Sequence, residues 1–486
     1  MRPTNLLILM SDEHNPRVFG CAGHREIATP NLDALVARGT RFTSAYTPSP
    51  ICVPARASLA TGRYNHEIGY WDNVDGYDGR AKSWHHAARD AGHEAVAIGK
   101  LHFRGWAEDD YGFTDIQNAM YLHEGRGELR MLLREPPEPV GDGSNMLASA
   151  GPGESTYTRY DRDVTERACA WLNAKAGAGH PKPWVLMVSM VAPHFPLTAP
   201  EQFYAMYADR PLALPKDYGY GVVGTAATHP YDQQYARFSG YNRHFRSEAD
   251  VRRALAGYYG LLSFMDANVG RVLAALDAAG LAADTRVLYT SDHGDNLGVR
   301  GLWGKSTMYE ESAGIPLIVA GPDVPVGRVV ETPASLVDVY PTVLDALGVN
   351  ATRATHSRRA RSIFVLASAA ADPDRPILSE YHAAGSSSAA FMLRLGRYKY
   401  IHHIEFAAQL YDLAADQQEQ VDLALDPAQA GALAHCRETL FAVLDPVAVN
   451  ARAKARQREL IAHYGGRDAI LKSVVLGGYT PVPNSN

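Results

Sequence analysis

The 486-residue chain carries 47 Lys and Arg against 53 Asp and Glu, a net charge of −6, with 46% hydrophobic and 21% charged residues. That balance describes a globular protein and excludes nucleic acid and anionic membrane surfaces as partners, so basic residues that matter act locally. Four cysteines, Cys21, Cys52, Cys169 and Cys436, stand in no CxxC or CxxH spacing, which excludes a disulfide framework and a zinc knuckle and predicts reduced thiols.

Taken in order, Asn5 to Met10 is a continuous apolar run of the kind buried on both faces of a parallel sheet, and it ends in Ser11-Asp12-Glu13-His14. It is too short for a signal-peptide core, and no segment approaches the length of a membrane span, so the cytoplasm is the default compartment. Thr29-Pro30-Asn31 starts a helix that Gly39 stops, and Phe42 to Tyr46 forms a short strand. Pro54 suits a first helical turn, which puts Cys52 at a helix N-terminus, an anion site, with Arg56 four positions on and Gly62 as the stop. Lys82 to Ala91 reads as a helix and Glu94 to Ile98 as a second buried strand, ending in Gly99-Lys100-Leu101-His102. From Trp106 to Tyr160 the periodicity weakens and irregular structure is expected over the active face. Arg162 to Ala174 is helical, and Trp184 to Met190 is a third strand, leading into Val191-Ala192-Pro193-His194. Phe195 to His244 is a Tyr-, Pro- and Gly-rich insertion suited to walling a pocket; Tyr70, Trp71 and Trp106 are further candidates for an aromatic wall. A long helix from Glu248 to Ala279 precedes a fourth strand, Arg286 to Thr290, which ends in Ser291-Asp292-His293-Gly294-Asp295. Strand Pro316 to Ala320 and helix Val337 to Leu347 complete this part, and Asn350 to Asp374 is expected to carry a loop.

Beyond it the pattern changes to short strands, Ile377 to Tyr381, Ala390 to Leu395 and Tyr398 to Ile401, followed by a helix from about Ala428 to Leu444 and a basic helix from Ala451 to His463. The fold class is α/β: a large mixed, mostly parallel sheet sandwiched by helices, with a smaller C-terminal α+β subdomain. The expected division is a catalytic domain at 1–360, an antiparallel-sheet subdomain at 361–445, and a tail at 446–486 that straps its own chain or crosses to another subunit of a homo-oligomer.

Four strands far apart in sequence therefore end in ionisable residues, and in an open α/β sheet the carboxyl ends of the strands form the ligand site. Asp12, Glu13, Asp292 and Asp295 cannot share a pocket as unpaired anions, and a divalent cation resolves the conflict. Oxygen ligands suit Ca²⁺ or Mg²⁺, and His293 tilts the choice towards Mn²⁺. Lys100, Lys305 and Arg56 are candidate clamps on an anionic transition state, and His102 and His194 offer one base and one acid.

Cys52-Val53-Pro54-Ala55-Arg56 with Thr61-Gly62-Arg63 resembles the signature of type I sulfatases, members of the alkaline phosphatase superfamily in which that Cys is oxidised to formylglycine. Thr29-Pro30-Asn31-Leu32-Asp33, Gly99-Lys100-Leu101-His102, Ser291-Asp292-His293-Gly294-Asp295 and Leu302-Trp303-Gly304-Lys305 extend the likeness over most of residues 5 to 350, and Tyr398-Lys399-Tyr400 with Leu410-Tyr411-Asp412-Leu413 is similar to the family's C-terminal subdomain. The resemblance implies hydrolysis of sulfate monoesters, with Asp12, Glu13, Asp292, His293 and the modified Cys52 holding one Ca²⁺ or Mn²⁺ ion. His194 and Lys305 would serve the leaving group, and His102 the second hydroxyl of the hydrated aldehyde. Lys100 and Arg56 would stabilise charge, and Asn73 is a candidate substrate donor. A formylglycine-generating enzyme is the implied maturation partner. Asp12-Glu13 and Asp292-His293 depart from the common Asp-Asp and Asp-Asn pairs and look more like the choline sulfatase and phosphonate monoester hydrolase branch. Phosphonate monoesters or phosphodiesters are thus the alternative substrates, and a non-catalytic anion-binding protein of the same fold is the third reading.

Overall fold

The computed structural model describes residues 2–138, 144–177, 182–222, 224–350, 356–477 and 479–483. The N-terminal apolar run forms strand β1 (Asn5–Asp12), buried along its whole length. It lies inside an eight-stranded sheet with β2 (Gly39–Phe42), β3 (Ala95–Lys100), β4 (Asp115–Met120), β5 (Val185–Pro193), β6 (Thr285–Ser291), β7 (Leu317–Ala320) and β8 (Arg328–Val330), in the order β8-β2-β7-β6-β1-β5-β3-β4. Neighbours run parallel except at β7, which is antiparallel to both β2 and β6.

Alternation along β1 divides the core. Leu7 and Leu9 face a cluster with Val164 and Leu172 of α4 (Thr156–Ala174) and Leu262, Met265 and Val269 of the long helix α6 (Glu248–Ala278). Leu6 and Ile8 face the opposite cluster, with Ala55 and Leu59 of α2 (Cys52–Thr61), Trp84 of α3 (Trp84–Asp90) and Val343 of α7 (Val339–Leu347). Helices α1 (Pro30–Ala37) and α5 (Pro230–Ser239) precede α2 and α6 respectively.

The C-terminal part is an antiparallel meander of β9 (Ile377–Tyr381), β10 (Ala390–Leu395), β11 (Tyr398–His403) and β12 (Gln409–Asp412), followed by α8 (Ala430–Val443) and α9 (Pro446–His463). Leu378, Phe391 and Leu440 pack with Tyr64, Trp71 and Val337 of the larger part, so the two share apolar core. Helix α9 returns across the larger part, where the Gln457 amide donates to Asp72 Oδ2 at 2.8 Å.

Several elements differ from the sequence reading, among them β8, which is unexpected, the strand expected at Phe42 to Tyr46, which is split into Gly39–Phe42 and Ala45–Tyr46, and α9, which starts at Pro446 rather than Ala451. Strand β4 falls inside the stretch expected to be irregular, and its half-exposed sequence DIQNAM carries no apolar run because it is an edge strand. Helix α4 starts at Thr156, where Ser155 caps it, rather than at Arg162. The stretch read as a loop before β9 contains a helix, Ile363–Ser368, while residues 351–355 of it lie outside the described residues.

Candidate active site

The four strands whose ends carry ionisable residues are consecutive neighbours in the sheet, β6-β1-β5-β3. Asp12 ends β1, Lys100 ends β3, His194 follows β5, and Asp292 and His293 follow β6. Helix α2 brings Cys52 to the same edge as its first residue. Ile51 before it offers no capping side chain, and Asn73 takes that place: the Val53 N–H donates to Asn73 Oδ1 at 3.0 Å.

Asp12, Cys52, Asp292 and His293 each offer one ligand atom, all within 4.8 Å of one another and all buried. Cys52 Sγ lies 3.2 Å from His293 Nε2 and 4.0 Å from Asp12 Oδ1. Glu13 is outside this group of four and forms a second group with Asp12 and His194. Its backbone is in the left-handed region, φ 68°, and Oε1 has no hydrogen-bond partner among the described residues, while Oε2 lies 3.1 Å from Lys305 Nζ and 3.4 Å from His194 Nε2. Two buried carboxylates, an imidazole and an orphaned carboxylate oxygen are a donor set that suits a divalent cation.

Arg56 does not extend into the cavity as an anion clamp. Its Nε donates to Asp292 Oδ2 at 2.8 Å, Nη2 to Asp12 Oδ2 at 2.9 Å, and Nη1 to the Lys100 carbonyl at 2.7 Å, so the guanidinium joins three strand ends. Lys100 Nζ is 2.6 Å from Asp12 Oδ2. Asp161, unremarked in the sequence, accepts from the Val191 and Ala192 N–H groups at 2.7 and 2.8 Å and fixes the chain just before His194. His194 Nδ1–H donates to the Phe195 carbonyl at 2.6 Å, which turns Nε2 towards Glu13.

The charges follow from this packing. Burial alone would raise the Asp12 carboxyl, but Lys100, His194 and Arg56 outweigh it and hold Asp12 well below the usual carboxylate range. Burial raises Glu13 to about 8, against the pull of Lys305. Burial, reinforced by Asp12, pushes the Cys52 thiol up to about 12. His102 and His194 are held well below the ordinary imidazole value, first by burial and then by nearby cations, so both are neutral. Lys305 stays charged in spite of burial because Cys52, Glu13 and Asp12 surround it.

One cavity opens on Cys52, Asn73, His102, His194 and Lys305. Its outer wall is aromatic, with Phe195, Tyr235, Phe238, Tyr241 and Tyr381, together with Glu128. The Tyr-rich insertion therefore does line the pocket, but Tyr70, Trp71 and Trp106 do not: Tyr70 packs on Tyr77, Trp71 on His382, and Trp106 lies exposed under Arg104. His14 bonds Tyr289 and the Val18 carbonyl behind the site, and Asp295 accepts from the Leu297 and Gly304 N–H groups, so both support loops.

Two family models match. Residues 4–349 match the Sulfatase model, and residues 298–444 match N-sulphoglucosamine sulphohydrolase, C-terminal. Over 435 residues the chain is 32% identical to a choline-sulfatase of Rhizobium meliloti (strain 1021), covering 87% of this chain and 83% of the relative. It is 28% identical to arylsulfatase K of Rattus norvegicus over 447 residues, covering 87% and 75%. Among solved structures, a phosphonate monoester hydrolase from Silicibacter pomeroyi superposes with a TM-score of 0.73 at 24% identity, covering 90% of this chain and 94% of that one. A protein solved with its substrate D-glucosamine-2-N,6-O-disulfate gives 0.71 at 21% identity, covering 93% and 99%. With a model matched across the whole sheet and a relative matched over most of both chains, the protein belongs to the sulfatase family.

Proposed function

We propose that the protein hydrolyses sulfate monoesters with a formylglycine made from Cys52, assisted by one divalent cation held by Asp12, Asp292, His293 and residue 52, with Glu13 beside them. The observation that carries this is the buried group of four, whose Cys52 also lines a cavity with His102, His194 and Lys305. A buried thiol pushed up to about 12 is protonated at neutral pH and is a poor nucleophile as it stands. Formylglycine would supply a hydrate hydroxyl for attack and a second whose deprotonation releases sulfate. The cation would supply the positive charge that favours an ionised oxygen and an anionic ester in this pocket.

The remaining work falls to side chains. Arg56 holds Asp12 and Asp292 aimed at the same point. Lys100, beside Asp12, and Lys305, beside Glu13, bring positive charge to the site, where sulfate oxygens would develop charge. Neutral His102 accepts a proton. His194, with its Nδ1–H fixed on Phe195, presents Nε2 to the leaving-group side, where Lys305 assists protonation. The N–H groups at the start of α2 and the Asn73 amide favour an anion there.

Phosphonate monoester hydrolysis is the second reading, favoured by His293 within the group of four, because a tetrahedral phosphonate ester would meet the same cations. Initial rates on choline sulfate, an aryl sulfate, phenyl phosphonate and a phosphodiester separate the two, run with Ca²⁺ and with Mn²⁺ after chelation. Sulfate esters are expected to be fastest, chelation to abolish turnover, and Cys52→Ala to reduce it to background. The Cys52 peptide is expected to be lighter than its sequence mass by about 18 Da, the difference between thiol and aldehyde. Full activity of Cys52→Ala would overturn the mechanism, and faster phosphonate turnover would overturn the substrate assignment.

A further inference from the structure

Part of the active-site cavity is built by the end of the chain. Leu476, Gly477, Tyr479 and Thr480 line it, although they stand more than 370 positions after His102. They form no helix or strand, so their place is set by side chains that receive them. Glu128 Oε2 accepts from the Leu476 and Gly477 N–H groups at 3.1 and 2.9 Å. Buried Tyr157, in the first turn of α4, clasps Thr480 twice: its hydroxyl accepts from the Thr480 N–H and donates to the Thr480 carbonyl, both at 2.8 Å. The Tyr479 ring stacks on Tyr157 with centroids 4.6 Å apart and planes 12° apart, and its hydroxyl bonds Thr156.

What this seat delivers is the Thr480 hydroxyl, 2.8 Å from His102 Nε2. His102 needs such an anchor. Its backbone is in the left-handed region, φ 57°, held there by its N–H donating to the Met120 carbonyl at 2.8 Å, so the residue projects from a loop rather than from the sheet. Its Nδ1 is buried without a hydrogen-bond partner among the described residues, which leaves the Nε2 contact to fix the ring.

We propose that Thr480 is a positioning residue of the active site: by accepting from Nε2–H it orients the His102 ring and keeps the lone pair on Nδ1, the nitrogen left to take the proton. This rests on the reading of His102 as the proton acceptor. The Tyr157 clasp and the Glu128 seat hold Thr480 at this place.

Thr480→Val, Thr480→Ser and His102→Ala, prepared as the full-length, formylglycine-loaded enzyme, test this with a small sulfate ester. Thr480→Val keeps the shape and removes the hydroxyl. It is expected to lower kcat about tenfold or more, within the range that a positioned base contributes, with KM unchanged. Thr480→Ser is expected to restore most of that loss. Independently of activity, ¹⁵N spectra of the imidazoles in metal-free protein, with His102 identified by its loss in His102→Ala, should show a protonated Nε2 in the parent and a redistributed proton in Thr480→Val. Parent-like kcat in Thr480→Val, no recovery in Thr480→Ser, or an unchanged His102 spectrum overturns the proposal. Parent-like kcat in His102→Ala instead overturns the role of His102 itself.

Discussion

The Arg56 guanidinium is held between two carboxylates, 2.9 Å from Asp12 Oδ2 and 2.8 Å from Asp292 Oδ2. At four positions after Cys52 it reads as reaching back to an anion at the helix start, yet Asp12 and Asp292, both fully buried, bind its guanidinium first. A buried carboxylate that has lost water demands a paired donor, and a substrate that comes and goes cannot meet that demand. Arg56→Met should therefore be a stability variant as well as an activity variant, losing about 3–5 kcal/mol as a buried pair stripped of one partner. Urea unfolding measures this, and Ca²⁺ or Mn²⁺ should raise its midpoint more than the parent's because the ion replaces the missing charge. An undiminished midpoint in Arg56→Met would show that the carboxylates are satisfied without it. At this scale Asp12, Lys100, His194, Asp292 and His293 were legible because each stands at or just after a strand end in an ionisable cluster, and Cys52, Arg56 and Lys305 through the motifs that hold them. Asp161 was not, since a mid-helix Asp gives no sign that it will cap a strand about 30 positions later.

At the scale of elements, the start of α2 depends on a side chain from outside the helix. Ile51 cannot cap, so the oxygen of Asn73 receives the Val53 N–H, and the same residue borders the cavity. Two substitutions separate these roles. Asn73→Ala removes the acceptor and should cost about 1 kcal/mol, the usual worth of an N-cap. Asn73→Asp keeps the acceptor and the stability, but replaces the amide donor by a negative charge and should raise KM for an anionic ester at least as much as Asn73→Ala does. Thermal unfolding with KM measurements checks both, and equal KM values in Asn73→Asp and the parent would remove Asn73 from substrate binding. Which elements could be read in advance follows the same physics. The buried strands β1, β3, β5 and β6 announce themselves as apolar runs, and Gly39 and Gly62 mark helix ends. Edge strands β4 and β8 have water on one side, and nothing in their composition separates them from loop.

For the whole molecule, the joins between distant segments include, beside shared apolar core, polar contacts that no local pattern encodes. Lys399 of β11 lies 2.9 Å from Glu310, at the start of the short helix Glu310–Ala313, which ties the C-terminal sheet to the larger part, and 2.8 Å from Glu419 beyond β12, and all three are buried or nearly so. Neutral histidines are buried in the same manner, and they bear on the stability of the fold in acid. His85 stacks on Phe113 with centroids 3.9 Å apart, its Nδ1–H donates to the Tyr111 carbonyl at 2.8 Å, and Nε2 is buried without a partner among the described residues. A second proton would place an unmatched N–H and a charge in that layer, and burial accordingly lowers His85 from 6.5 to about 3. His403, stacked on His229 with Nδ1 likewise orphaned, is also lowered to about 3, by burial and then by His229. Between pH 6.5 and 3 the unfolded chain therefore binds more protons than the native one at these positions. Their stabilisation is complete above pH 6.5 and drains away as pH falls towards 3, by on the order of 4 kcal/mol for one fully buried imidazole. His85→Asn retains a donor for the Tyr111 carbonyl but has nothing to protonate. Its urea midpoint should lie below the parent's at pH 7.5, where packing on Phe113 is lost, and the gap should shrink at each step from pH 6 to pH 4. A gap that stays constant over that interval would mean that His85 releases no proton on folding, and that stability in acid is set elsewhere in the molecule.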